Sequence, residues 1–327
     1  MIKLALIGPG KIAEYHIQAL KIFDFDIVGC ISRKGSSSNI EFMKNYGKDE
    51  SDYFTDIDYM VNNPQDWDAA LISCPTSSQL EYLIRLAHIN KPILVEKPIS
   101  FLSSDLENLI DYKNIMVGFN RRHYSNISQI KAFMQSKSNV FVKVVIPESS
   151  LYKNKNINSS CNFPAGVYEN SIHIFDLINY IFGDVEWVSA ISSSKEYSCF
   201  SSAEGAIANN SHVSLDVLIN APDNFSISVY SEDEKVELKP IEVLSFYQGF
   251  EVLEPSDVFP IRRYSPHLKS QIFVETHMNC KPGFYEQARM FTALCNGKKD
   301  LNFPSIVDAH KALSSIDSLV NIMRAIK

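Results

Sequence analysis

The chain has 327 residues and a mass of 37.0 kDa, which is too long for one simple hydrophobic core and fits two domains. Its composition, 45% hydrophobic and 21% charged, is that of an ordinary globular protein. The net charge of −7 and the lack of a dense Lys/Arg cluster argue against a nucleic-acid-binding surface and favour small-molecule chemistry.

Nothing in the sequence predicts export, membrane insertion or a metal site. The first apolar run is too short for a signal peptide and lacks a cleavage site. No stretch approaches the roughly 18 apolar residues of a membrane span. The six cysteines lack CxxC spacing and predict neither a zinc site nor a disulfide framework. We therefore predict a cytoplasmic protein without a metal.

The first predicted strand, Ile2–Ile7, leads into a glycine motif. Residues 8–13 read G-P-G-K-I-A, the G-x-G-x-x-A form of the dinucleotide fingerprint. Gly8 allows a tight turn, Gly10 lets the backbone approach a pyrophosphate, and Ala13 keeps helix and strand close. Glycine pairs also occur in plain turns, but the position after a buried strand favours a dinucleotide site.

The segments that follow alternate between strand and helix patterns. The predicted strands are 26–31, 69–73, 93–95 and 115–118, and the predicted helices are 11–20, 39–46, 78–88 and 103–112. This alternation predicts an α/β domain with a parallel, doubly wound sheet.

The end of the second predicted strand bears on the choice of cofactor. An NAD enzyme usually places an acid on the ribose about 20 residues beyond the fingerprint. Residues 30–40 contain no acid, and Ser32 is followed by Arg33 and Lys34, which suit a 2′-phosphate. We favour NADP over NAD; the alternative is that both cations are solvated loop charges.

Residues 96–98 read Glu-Lys-Pro directly after the predicted strand 93–95. A lysine at the carboxyl end of a parallel strand lies where ligands bind in this architecture, and the proline restricts the backbone beside it. The alternative is an ordinary lysine in a surface loop.

Residues 169–183, ENSIHIFDLINYIFG, predict an unusual helix. At about 100° per residue, Glu169, His173, Asp176 and Tyr180 fall within roughly 60° of the circumference. The remaining positions are mostly apolar, so the helix is predicted to be buried on most sides. These four polar residues form a stripe that either belongs to an internal hydrogen-bond network or lines a cavity. The stripe alone favours the internal network.

Five motifs in this order resemble the Gfo/Idh/MocA family of glucose-fructose oxidoreductase, inositol dehydrogenase and rhizopine-catabolism proteins. They are G-P-G at 8–10, C-P-T at 74–76, E-K-P at 96–98, G-F-N-R-R at 118–122 and the 169–183 segment. The resemblance implies a Rossmann domain over 1–120 and a substrate-binding and oligomerisation domain over 121–327. The second domain would carry a large, mostly antiparallel open sheet, and the C-terminal helix would pack back on the first domain.

The resemblance makes Lys97 and His173 the catalytic pair and Glu169 a third catalytic candidate. An imidazole with an ordinary pKa near ~6.5 suits proton transfer around neutral pH, so His173 would act as general base in oxidation. Lys97 would stabilise charge on the same oxygen, and Glu169 would orient the imidazole or bind a hydroxyl. The family commonly has aspartate four residues before the histidine, so Glu169 is a departure. Asp176 stays unassigned.

The predicted cofactor contacts come from the fingerprint, the ribose segment and the matched motifs. They are Gly8, Gly10, Lys11, Ile12, Ser32, Arg33, Cys74, Pro75, Glu96, Lys97 and Asn120.

Beyond residue 121 the pattern becomes strand-like. Strands are predicted at 140–146, 185–192, 212–219, 225–230 and 235–238, loops at 154–165 and 255–267, and helices at 284–296 and 305–326. The first loop could cover the pocket. The second loop contains Arg262 and Arg263. Such arginines could bind a phosphorylated or nucleotide-linked sugar, but solvated loop charges are the favoured interpretation.

The predicted function is hydride transfer between nicotinamide and a secondary alcohol or ketone of a sugar, inositol or nucleotide sugar. One alternative is a non-catalytic cofactor-binding regulator. Another is a glycoside lyase or hydrolase with an internal redox step. A homodimer or homotetramer is expected because it would bury the open sheet face; no nucleic-acid or membrane partner is expected.

Overall fold

The computed structural model describes residues 1–32, 37–49, 52, 54, 56–149, 165–192, 200–298 and 302–325. The chain divides into two compact units. Unit 1 comprises Met1–His123 and Thr276–Ser314, and unit 2 comprises Tyr124–Glu275 and Ser315–Lys327. The division of roles between a dinucleotide-binding domain over 1–120 and a substrate domain over 121–327 stays a prediction, as does the packing of the C-terminal helix.

Unit 1 contains a parallel five-stranded sheet in the order β2-β1-β3-β4-β5. Its strands are β1 Ile2–Ile7, β2 Phe25–Ile31, β3 Ala69–Ile72, β4 Ile93–Val95 and β5 Ile115–Val117. The last three strands are buried along their whole length, as expected when both faces of a parallel sheet are covered. The predicted parallel sheet is therefore confirmed.

The helices of unit 1 lie between its strands and in the segment after residue 276. They are α1 Lys11–Lys21, α2 Ser37–Asn45, α3 Ile57–Asn62, α4 Thr76–Ala87 and, after the second unit, α8 Phe284–Cys295. α3 was not predicted. The helix predicted at 103–112 is a 3₁₀ helix over Ser103–Leu109. α8 shares a core with α1 and β2, where the rings of Phe25 and Phe291 stack at 5.9 Å.

Unit 2 contains an eight-stranded sheet in the order β13-β12-β11-β10-β6-β9-β8-β7. Its strands are β6 Phe141–Glu148, β7 Glu186–Ser192, β8 Phe200–Ile207, β9 Ser211–Ile219, β10 Ser226–Ser231, β11 Glu234–Leu238, β12 Val243–Leu253 and β13 Arg263–Phe273. Among the strands that the structure describes in this sheet, the β6/β9 pair alone is parallel, so the predicted large, mostly antiparallel sheet is confirmed.

The remaining helices are α5 Ser125–Gln135, α6 Ala165–Glu169, α7 Ile172–Phe182 and α9 Ile306–Ala325. Residues of α9 up to Ser314 are grouped with unit 1 and later ones with unit 2. Within the ranges given above, no helix has the length and apolar character needed to cross a membrane.

The loop predicted at 255–267 is wrong in its last residues, whereas most of the loop predicted at 154–165 is not tested. The loop predicted at 255–267 ends before Arg263, where β13 begins. β13 is the edge strand of the sheet, so Pro266 is tolerated in it and its side chains show no buried alternation. Residues 154–164 of the other predicted loop lie outside the described residues, and Ala165 already belongs to α6.

Candidate active site

All five strands of unit 1 end in register. Ile7 pairs with both Ile31 and Ile72, and Val95 pairs with Ile72 and Val117. The residues that follow these strand ends therefore lie along one edge of the sheet. This carboxyl edge carries Gly8, Ser32, Cys74, Glu96, Lys97 and Gly118. Open α/β sheets bind ligands at this edge, where the strand order reverses, here between β1 and β3.

The turn after β1 requires glycine. Gly8 has φ +88°, and a Cβ on it would lie 2.5 Å from the backbone nitrogen of Cys74. The hydroxyl of Ser73 donates a hydrogen bond of 2.8 Å to the Gly8 carbonyl. The β1 turn and the β3 end are thus packed backbone against backbone, which leaves no room for a side chain.

The start of α1 fits a pyrophosphate. Gly10 is the N-cap and no side chain caps the helix. A Cβ on Gly10 would meet nothing within 4 Å, so the space outside the turn is open. The first N–H groups of a helix have no intrahelical partner and favour an anion. Lys11 is exposed and Ile12 half-buried in this first turn.

The other predicted cofactor contacts differ in their surroundings. Ser32 is half-buried directly after β2, whereas Arg33 and Lys34 lie outside the described residues. Burial raises the pKa of the Cys74 thiol to about 12, so this thiol is neutral and a poor nucleophile. Pro75 precedes α4 as its N-cap. The Asn120 amide donates a hydrogen bond of 3.1 Å to the Pro282 carbonyl, which gives it a structural contact within unit 1.

Lys97 directly follows Glu96 at the end of β4 and is half-buried. Its backbone N–H donates a hydrogen bond of 3.2 Å to Oε2 of Glu96. Glu96 itself is buried, and its other carboxylate oxygen lies 2.6 Å from Nε2 of His16. The structure therefore places the lysine at the predicted edge and anchors its backbone on a buried carboxylate.

The segment after β5 forms a 3₁₀ helix over Asn120–His123. The buried Arg122 guanidinium lies 2.8 Å from Oδ1 of Asp308. Burial, reinforced by the charges of Arg122 and Arg289, lowers the pKa of His123 to about 4, so this imidazole is neutral at neutral pH. Burial opposes the ionisation of Asp308, but Arg122 and the Ser305 hydrogen bonds outweigh it and hold its pKa below the usual value. This cluster ties the segment after β5 to α9.

In unit 2, α7 has the buried circumference that the sequence predicts. His173 and Asp176 are buried together with the surrounding apolar residues, and Tyr180 is half-buried. The ammonium group of Lys131 on α5 lies 3.4 Å from the centre of the Tyr180 ring. Gly183, with φ +88°, ends the helix.

The predicted single helix over 169–183 is wrong at its start. α6 ends at Glu169 and α7 begins at Ile172, with Asn170 and Ser171 in a turn between them. Glu169 and His173 therefore do not belong to one continuous helix. The role of Glu169 stays a prediction.

Glu148, the last residue of β6, accounts for this break and was not predicted. Its carboxylate is buried and accepts hydrogen bonds from the Ser171 hydroxyl at 2.5 Å and the Asn170 amide at 3.2 Å. The Ser149 backbone N–H donates a third at 3.0 Å. A Cβ on Gly166 would lie 2.7 Å from Cγ of Glu148, so only glycine lets α6 pack this closely. A negative charge before α7 also favours the helix start.

We expect Glu148→Ala to lower the free energy of unfolding of unit 2 by about 2–4 kcal/mol, because it leaves the buried Ser171 donor and the half-buried Asn170 donor without an acceptor. The chain has two tryptophans, Trp67 in unit 1 and Trp187 in unit 2. Urea unfolding followed by Trp187 fluorescence in a Trp67→Phe background measures the effect. The exposed Glu186→Ala is the matched control and should change stability by less than about 0.5 kcal/mol. Equal effects of the two variants would contradict this role.

The buried polar residues that were not predicted include His16, Gln287 and Glu148. His16 lies on the buried face of α1 with Ala13, Ile17 and Leu20. In the sequence, a histidine among the apolar residues of this helix face was the feature that could have indicated a buried hydrogen bond. Gln287 is likewise buried in α8. In the described part of the chain, no group of three or more His, Cys, Asp or Glu side chains could hold a metal ion.

Comparison with known proteins shows which oxidoreductases this chain resembles. Residues 2–117 match the family model described as an oxidoreductase family with an NAD-binding Rossmann fold. Over these residues the chain is similar to the Gfo/Idh/MocA family. The matched part corresponds to the NAD-binding Rossmann domain of that oxidoreductase family. A myo-inositol 2-dehydrogenase from Thermotoga maritima is 24% identical over 249 residues, which cover 72% of this chain and 72% of that protein.

Solved structures share the whole fold. An inositol dehydrogenase homologue from Azotobacter vinelandii, solved in complex with NAD⁺, has a TM-score of 0.76 at 13% identity and covers 99% of this chain and 95% of its own. An oxidoreductase from Thermotoga maritima has a TM-score of 0.74 at 18% identity and covers 98% of this chain and 96% of its own. At these identities the likeness shows a common fold.

Proposed function

We propose that this protein transfers a hydride between nicotinamide and a secondary alcohol or ketone of a sugar, inositol or nucleotide sugar. The observation that carries the proposal is the register of the five strand ends, which puts the glycine turn and Lys97 on one edge of the sheet. The myo-inositol 2-dehydrogenase relative supports a polyol substrate. Turnover of polyols with NAD⁺ or NADP⁺ tests the proposal.

The roles proposed for the chain's own residues follow from their chemistry. The first turn of α1, after Gly10, holds the pyrophosphate through backbone N–H groups. When bound, the nicotinamide supplies the hydride acceptor or donor. In oxidation, His173 takes the proton from the substrate hydroxyl. Lys97 donates a hydrogen bond to the same oxygen and stabilises the negative charge that develops there. Glu169 orients the imidazole or binds a neighbouring hydroxyl.

We also propose that the cofactor is NADP. The proposal is supported by the residue types at the end of β2. Residues 30–40 contain no Asp or Glu, and Ser32 is followed by Arg33 and Lys34. A carboxylate at this position would accept hydrogen bonds from a free ribose and repel a 2′-phosphate. A serine hydroxyl and an arginine instead provide donors to the phosphate.

The ratio of the dissociation constants for NADPH and NADH, measured by fluorescence titration, tests this preference. We expect NADPH to bind about 10-fold or more tightly, and Arg33→Ala to remove most of the difference. The exposed Lys44→Ala is a control with the same charge change and should leave the ratio unaltered. Equal values, or tighter binding of NADH, would contradict the proposal and favour NAD.

We further propose that the open sheet of unit 2 is covered by a second copy of the chain. Phe250 lies opposite Pro266 and Val252 opposite Tyr264, and paired residues of an antiparallel ladder share a face. Three of these side chains are half or more exposed, Phe250 at 73%, Tyr264 at 67% and Val252 at 50%. Contiguous exposed apolar surface of this kind marks an interaction site.

Sedimentation equilibrium tests this assembly. We expect the wild-type chain to be a dimer or tetramer and Val252→Glu to shift it toward monomer, since a charge would be buried without a partner. Ile84→Glu, an exposed apolar position in unit 1, is the matched control and should leave the mass unchanged. A wild-type monomer would contradict the proposal.

A further inference from the structure

A buried series of hydrogen-bonded side chains, Gln287, His16 and Glu96, lies next to Lys97 in unit 1. His16 on α1 and Glu96 at the end of β4 are 80 residues apart in sequence, yet Nε2 of His16 lies 2.6 Å from Oε1 of Glu96. Their exposed fractions are only 2% and 7%. An ionisable pair at this depth is retained only where its hydrogen bonds are satisfied.

Gln287 is the third residue of this hydrogen-bonded group, and its amide shows which ring nitrogen of His16 donates and which accepts. Nε2 of Gln287 on α8 lies 3.2 Å from Nδ1 of His16. Because an amide nitrogen only donates, Nδ1 accepts, and Nε2 of His16 carries the hydrogen that it donates to Glu96. The ring of Phe284, also on α8, packs edge-on against the imidazole at 4.8 Å. The imidazole is thus held by α8 and directed at β4.

The Glu96 carboxylate is fixed on its other sides as well. Oε2 accepts the Lys97 backbone N–H, and a Cβ on Gly118 would lie 2.9 Å from Oε1. Burial raises the pKa of Glu96, but the hydrogen bonds from His16 and from the Lys97 backbone, together with the charge of Lys97, outweigh burial and hold it below the usual value. The group is therefore an anion at neutral pH. The groups that face this carboxylate are the His16 imidazole from α1, Lys97 from its own strand end and Gly118 after β5.

We propose that His16 and Gln287 are positioning residues that hold the Glu96 carboxylate and, through it, the backbone of Lys97. The proposal rests on the catalytic role proposed for Lys97. It links the helix that begins at the glycine turn to the strand end that carries the lysine. Loss of a hydrogen bond to a charged group in such a network lowers turnover by about 10- to 100-fold.

Two variants of His16 separate positioning from packing. His16→Phe keeps a ring against Phe284 but removes the donor to Glu96, and we expect kcat to fall about 10-fold or more with little change in the cofactor dissociation constant. His16→Gln keeps an amide donor and should restore most of kcat. His88→Phe removes the His88–Tyr112 hydrogen bond elsewhere in unit 1 and should leave kcat within about twofold.

The backbone amide of Lys97 provides a readout that does not depend on activity. In wild-type protein labelled with ¹⁵N-lysine, its amide shift should not titrate between about pH 5 and 8, because Glu96 stays ionised. In His16→Phe burial is no longer offset by the His16 hydrogen bond, so the pKa of Glu96 rises and the Lys97 amide should titrate at a higher pH than in the wild type. Identical titrations of the two proteins would overturn the proposal. If the titration appears but the wild type turns over no alcohol or ketone, the proposed function fails and the network stands.

Discussion

His173→Ala is expected to lower kcat by about 10²- to 10⁴-fold, the usual contribution of general acid–base catalysis, while the cofactor dissociation constant stays unchanged. His173 lies in the first turn of α7, among buried apolar residues. A neutral imidazole is one of few side chains that can accept a proton near neutral pH. Steady-state kinetics with a turned-over polyol, together with cofactor titration, measure both quantities.

His212→Ala is the matched control for this variant. His212 lies on the exposed face of β9 and interacts with Glu204 at the surface of the same unit. Its removal should leave kcat within about twofold. Retention of more than about a tenth of turnover by His173→Ala would contradict the role of His173 as general base.

Lys97→Met is expected to cause a comparable loss of turnover with the fold intact. Methionine keeps the length and apolar stem of lysine but cannot donate a hydrogen bond to the substrate oxygen, and removal of one such donor costs about 10²- to 10³-fold. The circular dichroism spectrum should match that of the wild type, since Lys97 is half-buried at a strand end and the substitution keeps its backbone hydrogen bond to Glu96. The exposed Lys113→Met is the control and should retain normal turnover.

The double variant adds a sharper test of the pair. Residues that act on one oxygen give losses that are not multiplicative. We expect Lys97→Met with His173→Ala to be less impaired than the product of the single losses. A multiplicative loss would mean that the two side chains act on separate steps.

The fold of unit 1 was predictable because its local signals agree with one another. The short apolar runs at β3 and β4 are bounded by Ser73 and by Glu96, and each run is buried on both faces. The glycine turn after β1 carries its own geometric requirement. Periodicity, turn residues and strand length therefore all indicate the same parallel sheet.

The edge strand β13 of the sheet in unit 2 was not predictable from local sequence patterns. β13 contains Pro266 and has little buried surface, so neither β propensity nor alternation marks it. Its assignment depends on pairing with β12, a contact that local sequence does not encode. Likewise β8, with two serines and two alanines among its eight residues, becomes a strand through its pairing with β7 and β9.

Some features of the candidate site were predictable from the sequence, and others depend on contacts between distant residues. The predicted edge position of Lys97 and the burial of His173 follow from strand and helix patterns. The break after Glu169 does not, because its cause is Glu148, which lies more than 20 residues away and acts through Ser171. The anchoring of Glu96 likewise depends on His16 and on Gln287 of α8, contacts that form only in the folded unit.

The most direct test of the central proposal is turnover of a panel of polyols, inositols and nucleotide sugars with NAD⁺ or NADP⁺. The near-ultraviolet absorbance of reduced nicotinamide and the product mass are recorded in the same sample. We predict that nicotinamide is reduced in equal amount to a product lighter by two hydrogen atoms. Substrate cleavage without net nicotinamide reduction, or cofactor binding without turnover of any substrate, would contradict hydride transfer to free cofactor as the function of this protein.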